Sequence, residues 1–238
     1  MFKFLKRKRT QIPHQSPNAA VAGVFTNIRD IGLNPKHIVD IGGNRGGWSR
    51  TVLSIFPQAC LSIFEPQRRL ATYLADLEAS PNVVVYYKGV GDYDGIAPFT
   101  LHHRDDSCSF VYDAEEAKAH GFIQSEIEIC KLDTAMADSP FGTPDIVEID
   151  AEGLDLKVLE GAAKTLRETE IVLIEASVSN PDYPNSVLAV VKKMDQLGFR
   201  LFDFTDLNRT PNRNLLWLVE GVFVRKGHAL DIASSTYD

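Results

Sequence analysis

An α/β fold built on a mostly parallel sheet is what this sequence predicts, and three observations carry the prediction. Short apolar or β-branched runs alternate with segments of helical periodicity along most of the chain. The first apolar run passes directly into a loop with four glycines, Gly42-Gly43-Asn44-Arg45-Gly46-Gly47, and then into a helix. Acids stand at three strand tips: Asp40, the pair Asp150 and Glu152, and Glu175. Alternation of this kind covers both faces of a parallel sheet with helices and leaves its carboxyl edge open for a ligand.

Residues 1–18 are basic, then rich in Pro, Gln and Ser, and read as a flexible arm ahead of one domain over 19–238. Val21, Val24, Phe25 and Ile28 recur at helical spacing, and Gly32 sits where that helix would stop. His37–Ile41 reads as a strand, Trp48–Phe56 as a helix closed by Pro57, and Cys60–Phe64 as the next strand. Pro66 suits the start of a helix over Gln67–Leu77, and Val83–Tyr87 is a β-branched and aromatic strand. The middle is less regular. It offers a turn at Asp92–Gly95, a strand at Ile96–His102, a polar loop around Asp105–Ser109 and an alternating strand at Glu126–Leu132.

Regular alternation then resumes with a strand at Ile146–Ile149. The helix Leu156–Leu166 follows, with Val158, Leu159, Ala162, Ala163 and Leu166 on one face. Next come a strand at Ile171–Glu175, a helix at Ser186–Leu197 stopped by Gly198, and strands at Leu201–Phe204 and Trp217–Arg225. No clear helix separates the last two strands, which suits an antiparallel edge.

Composition narrows the function classes. The 238 residues carry a net charge of −7, and because the first nine hold five cations and no acid, the remainder carries −12. Such a body lacks the clustered Lys and Arg of a duplex-binding face, so nucleic acid is not an expected partner. Cys60, Cys108 and Cys130 are odd in number and form no CxxC or CxxH pair, which argues against a disulfide framework or zinc ribbon. No apolar run reaches the ~18 residues of a membrane span, and the leader lacks a secretory h-region; a cytoplasmic location is the expectation. The cations of residues 1–10 could add weak contact with an anionic membrane, while a solvated tail is the simpler reading.

The glycine loop is the strongest chemical signal. Its glycines let the backbone approach a ligand, and the following helix offers free N–H groups. A nicotinamide-binding loop would read GxGxxG and place a diphosphate there. Here Asp40 precedes the first glycine by two residues, which would repel a diphosphate and suits a cationic ligand such as S-adenosylmethionine. Glu65, 19 residues after Gly46, stands where a nucleoside-binding sheet puts its ribose acceptor.

The segments VDIGGNRGGWS, FEP, GVGDYDG, CSF, KLDTAM, IVEIDAEGLDLKVLEGAAKTL and IVLIEAS together resemble the FkbM family of S-adenosylmethionine-dependent methyltransferases. The likeness covers about residues 39–177, in the family's order and spacing, and VEGVFVRK resembles its closing strand. The resemblance implies a class I methyltransferase (Rossmann-like) three-layer fold whose seven-stranded sheet ends in an antiparallel strand. It also implies O-methylation, often of sugars.

By position, the resemblance assigns Asp40, Gly42, Asn44 and Gly46 to the methionine end of the cofactor and Glu65 to the ribose. It puts Gly91 and Asp92 near the adenine, and Asp150 and Glu152 at the sulfonium and acceptor. Ser109 matches a serine of the family's middle loop. Two residues depart from the pattern: Glu148 stands where the family has Lys, and Asp155 where it has Glu. The expected general base is Glu152, with Asp150 holding cofactor and His103 or His102 as alternatives. Asp150 and Glu175 could offer hard oxygen ligands to Mg²⁺, though a metal is not the favoured reading. A non-catalytic cofactor-binding module and a nicotinamide-dependent oxidoreductase are the competing readings. The acceptor is expected to be a small molecule or glycan.

Overall fold

The computed structural model of this chain describes residues 18–180 and 183–233. The basic stretch of the expected arm lies outside the described residues. The first half runs α1 (Ala19–Asp30), β1 (His37–Ile41), α2 (Gly47–Ile55), β2 (Cys60–Phe64), α3 (Ala71–Glu78), β3 (Val83–Tyr86), β4 (Gly89–Gly91) and β5 (Gly95–Leu101). It continues with α4 (Ala114–Ala119), β6 (Ile123–Lys131), α5 (Leu132–Ala137), β7 (Ile146–Ile149) and α6 (Asp155–Gly161). The chain closes with β8 (Ile171–Ser177), α7 (Val187–Gln196), β9 (Phe199–Arg209), β10 (Leu216–Arg225) and α8 (Ala229–Ala233).

Seven strands form one sheet in the order β3-β2-β1-β7-β8-β10-β9. β1, β2, β3, β7 and β8 are mutually parallel, and β10 is antiparallel to both its neighbours. The order reverses between β1 and β7, which opens a crevice at their carboxyl ends. Alternation along the buried strands builds a core on each face. Val39, Ile41, Val147, Ile149, Val172 and Ile174 pack with Leu132, Val158, Leu159, Val190 and Met194 of α5, α6 and α7. Ile38, Leu61, Ile63, Ile146, Leu173 and Val222 pack with Phe25, Val52 and Leu74 of α1, α2 and α3. Three layers result, as the strand–helix alternation predicts.

The less regular middle forms a second, three-stranded sheet, β4-β6-β5, with β4 parallel and β5 antiparallel to β6. It packs on α6 where Gly161 meets Gly91, so closely that a Cβ on Gly161 would lie 1.9 Å from the Gly91 carbonyl oxygen.

Departures from the expected elements are local. The helix expected over Gln67–Leu77 divides into a 3₁₀ turn at Arg68–Leu70 and α3. That expected over Leu156–Leu166 stops at Gly161 and resumes as a 3₁₀ turn at Thr165–Arg167. β9 extends five residues beyond the expected Phe204, because β10 pairs with it through three register shifts that absorb its exposed polar end. β4, α4, α5 and α8 were not expected. α4 carries a signal, for Asp113 and Glu116 form a reciprocal capping box at its start. All three cysteines are free thiols.

Candidate active site

β1 carries Asp40 and Ile41 to the carboxyl edge, where the chain reverses sharply. Gly42 (φ 96°), Asn44 (φ 45°) and Gly46 (φ 75°) all take left-handed backbone. The Gly42 and Gly43 N–H groups donate to the Phe64 carbonyl at 2.9 and 3.1 Å, which ties the loop to β2. A Cβ on Gly42 would stand 2.0 Å from the Asp150 carbonyl oxygen, and one on Gly43 2.3 Å from Ile63 Cγ2. Only glycine fits at both places, and the backbone is laid open beside β7.

Glu65 follows β2 directly and is buried. Its Oε2 accepts from the Asn44 N–H at 2.8 Å and its Oε1 from the Gln67 N–H at 2.6 Å. Burial raises its pKa, and the two amides oppose that rise. Each carboxylate oxygen keeps a lone pair for a further donor. Glu65 lines a cavity together with Ile41, Phe64, Val90, Phe99 and Phe110, and Asp150 and Glu152 belong to the same lining.

The segment after β7 is shaped by one carboxylate. Asp155, the first residue of α6, accepts from the Ala151 N–H at 3.0 Å, from the Gly153 N–H at 3.1 Å and from the Asn185 side-chain amide. These bonds hold a loop in which Glu152 (φ 47°) and Gly153 (φ 100°) are both left-handed. Glu152 is a non-glycine residue in that region, a conformation that surrounding bonds must enforce. Its carboxyl is pushed up to about 8 by burial and by Asp150, with Arg104 opposing. Asp150 is raised to about 7 by burial and by Asp155 and Asp40, and its Oδ1 is buried without a partner.

Four further acids line up across the face of the sheet that carries α1 and α2. Asp40 on β1 lies in register with Glu148 on β7, and Glu175 on β8 with Glu220 on β10. Asp40 accepts from the Ser49 hydroxyl and Glu220 from the Thr205 hydroxyl. Glu148 Oε2 is buried without a partner. Burial pushes every one of the four upward: Glu148 well above the usual carboxylate range with Asp40 adding to it, Glu220 to about 8 and Glu175 to about 10. Among the described residues none of these four forms an ion pair with Lys, Arg or His. They line a cleft of about 900 Å³ that also takes in Asp150 and the glycine loop.

A polar cavity of about 640 Å³ adjoins both, lined by Glu152, Glu175, Tyr183, Asn208, Arg209 and Trp217 among others. Glu152 is thus shared between the Glu65 cavity and the polar one. Of the GVGD segment, Gly89 and Val90 line the Glu65 cavity. Gly91 turns to Gly161 and Ile129 instead, and Asp92 lies outside the lining. Gly46 caps α2 beside Leu77 and Leu74 and is not in the lining of any of the three cavities described. His103 is exposed and lines none of the three cavities; His102 is likewise outside them, its ring 4.1 Å from that of Phe122. Ser109 pairs its backbone with Thr100. The Mg²⁺ option at Asp150 and Glu175 finds no support in clustering: no group of three or more His, Cys, Asp or Glu suited to a metal occurs among the described residues.

Comparison with known proteins bears directly on this edge. The family described as the methyltransferase FkbM domain matches residues 40–201, from Asp40 through the start of β9. The chain belongs to the FkbM methyltransferase family. No curated protein matches it. Among solved structures, the precorrin-6y C5,15-methyltransferase of Geobacter metallireducens GS-15 is similar at 12% identity and TM-score 0.50, over 93% of this chain and 94% of that one. The 1,6-didemethyltoxoflavin-N1-methyltransferase of Burkholderia thailandensis, solved with that substrate and S-adenosylhomocysteine, is similar at 12% identity and TM-score 0.44, over 87% and 79%. The fold is that of class I methyltransferases, and the protein is an enzyme of methyltransferase type.

Within this FkbM chain, the two departures noted in the sequence fall at the centre of the site. Glu148 sits in the row of acids, and Asp155 organises the Glu152 loop. Sequence reasoning missed Glu220, Tyr183, Asn185 and Trp217. Glu220 had a signal, being an acid inside an otherwise apolar strand; the others are brought in by the chain's return through β8 to β10 and had none.

Proposed function

We propose that residues 19–238 act as one domain that transfers a methyl group from S-adenosylmethionine to a hydroxyl of a sugar or glycan-type acceptor. The observation that carries this reading is Glu152, held where the Glu65 cavity meets the polar cavity. The residues present suit the cofactor. Asp150 Oδ1 and Glu148 Oε2 are buried acceptors lacking a partner, which a sulfonium or ammonium group would satisfy. Asp40, Asn44 and Asp150 would hold its methionine end, Glu65 its ribose hydroxyls, and Phe64, Val90, Phe99 and Phe110 its base.

When bound, S-adenosylmethionine supplies an electrophilic methyl group on sulfur. The chain's own contribution is alignment and a base. Tyr183, Asn208 and Arg209 offer hydrogen-bonding groups to a polyol, and Trp217 offers a flat apolar face to a sugar ring. In-line displacement rewards such positioning heavily. Glu152, raised to about 8, accepts a proton from the acceptor hydroxyl with a driving force matched to near-neutral pH. Asp155 and Asn185 fix the loop that presents it.

Titration calorimetry with S-adenosylhomocysteine and with NAD, followed by transfer of labelled methyl to cell-envelope glycan fractions, tests the reading. The expected result is binding of S-adenosylhomocysteine alone and label in a glycan hydroxyl. Binding of NAD without S-adenosylhomocysteine would sink it, and label confined to non-glycan fractions would reassign the acceptor.

A further inference from the structure

Beside the polar cavity the surface changes character. The N-terminal half of α7 and the extended ends of β9 and β10 enclose a groove of about 570 Å³ lined by Val178, Leu188, Val191, Phe204, Leu207 and Leu216, with no charged side chain in its lining among the described residues. Its rim is unusually open for such residues: Leu188 is 79% exposed and Leu207 55%. Exposed apolar side chains that share one concave surface mark a binding face, whereas the same residues scattered singly would not.

The groove is continuous with the site. Ser177 belongs to its wall and to the wall of the polar cavity. Phe204 and Leu207 belong to the groove and to the acid-lined cleft. Trp217, in the polar cavity, is followed along β10 by Leu218 there and preceded by Leu216 in the groove. A molecule whose hydroxyl reaches Glu152 and which continues past Ser177 therefore moves from hydrogen-bonding groups onto a floor of mainly apolar side chains.

We propose that this groove is a subsite for an alkyl or acyl chain attached to the acceptor, so that the natural acceptor is an amphiphilic glycoside. The inference rests on the reading of the polar cavity as the acceptor site. Absence of charge selects an apolar occupant, and continuity with the polar cavity selects one joined to the acceptor. Each methylene that enters the groove should tighten binding about fourfold.

The test uses S-adenosylhomocysteine-loaded protein and methyl, hexyl and octyl β-D-glucopyranosides below their micellar concentrations, with binding followed by calorimetry. Affinity is expected to rise at least tenfold from methyl to octyl in the wild type and to show no chain-length dependence in Leu188→Glu and Leu207→Glu. Leu188 occupies the first turn of α7, where an added carboxylate favours the helix. That variant should fold normally and keep its affinity for S-adenosylhomocysteine. An octyl glycoside bearing a photoreactive diazirine on its terminal carbon should label peptides within 177–191 or 204–219.

Equal affinity for all three glycosides, or labelling elsewhere, overturns the proposal. A wild-type dimer that Leu188→Glu converts to monomer assigns the groove to a second copy and overturns it too. So does binding to phosphatidylglycerol vesicles that Leu188→Glu abolishes without any effect of chain length. Loss of S-adenosylhomocysteine binding with chain-length dependence intact would instead remove the methyltransferase reading and leave an apolar subsite standing.

Discussion

Glu65, just after β2, and Glu148, on β7, are both buried acids on the two parallel strands that flank β1, yet their surroundings are opposite. Glu65 is met by two backbone amides at 2.8 and 2.6 Å. Glu148 faces Asp40, leaves Oε2 without a partner, and has Glu220 and Asp150 adding to its burden. The first is a finished arrangement: two amides oppose the rise that burial gives it, and each oxygen keeps a lone pair for a further donor. The second is an unfinished one. Desolvated acids in a row disfavour one another's ionisation and hold their protons more tightly, which a cation placed among them would reverse. Two buried acids on the strands that flank β1 are thus handled by different means.

The sharpest way to break this contrast is at Glu152, the acid that the Glu65 cavity shares with the polar cavity beside the row. Glu152→Gln should lower turnover by on the order of 10²- to 10⁴-fold while affinity for S-adenosylhomocysteine stays near the wild-type value. In the wild type the rate should rise with pH to a plateau, with its midpoint near the carboxyl's value of about 8, because only the ionised form accepts a proton. In the variant that dependence should vanish. Pre-steady-state methyl transfer measured across pH 6–10 checks both, and a variant retaining normal turnover would dismiss Glu152 as the base.

A smaller effect is expected on the finished side. Glu65→Gln keeps the shape but turns an amide nitrogen toward backbone N–H donors that now lack an acceptor. Charge-assisted bonds contribute about 1.5–3 kcal/mol, which corresponds to about 10- to 100-fold weaker binding of S-adenosylhomocysteine. The loss should differ little between pH 6 and pH 9, because the two amides work against the rise that burial gives the Glu65 carboxyl. Calorimetry at both values decides; a loss that varies strongly with pH would place Glu65 with the unpaired acids instead.

How much of this was legible beforehand follows the same division. β1, β2 and β7 match their expected bounds residue for residue, because apolar runs closed by Gly or Pro leave little room for error. The glycine loop and Glu65 were legible too, since their geometry is local. Gly91 and Asp92 were expected near the base, but the cavity takes Gly89 and Val90, a matter of where α6 presses on β4. His103 was weighed by residue type, and tertiary placement leaves it on the surface. Glu220, Tyr183 and Trp217 reach the site from remote segments, so no spacing rule brings them together. The pairing of Asp40 with Glu148 required the strand order, which places β7 beside β1.

The subtlest consequence concerns stability in the absence of ligand. Asp150, Glu220 and Glu175 hold protons in the folded chain up to about pH 7, 8 and 10, whereas unfolded carboxyls lose them near pH 4–4.5. Between those limits the folded state binds more protons than the unfolded one, so stability falls as pH rises. The melting temperature of the ligand-free protein should therefore decline from pH 6 to pH 9. Glu148→Gln, which mimics the neutral acid and cannot ionise, should melt about 2–4 °C higher than wild type at pH 9 and no differently at pH 5. S-adenosylhomocysteine, whose ammonium group favours the ionised acids, should flatten the wild-type decline and release protons on binding, a release visible as buffer-dependent heat in calorimetry. Scanning calorimetry at the two pH values is sufficient. A wild-type melting temperature that is level across the range, or a glutamine variant that follows it in parallel, would mean that the row of acids is already neutralised and that the contrast with Glu65 is one of geometry alone.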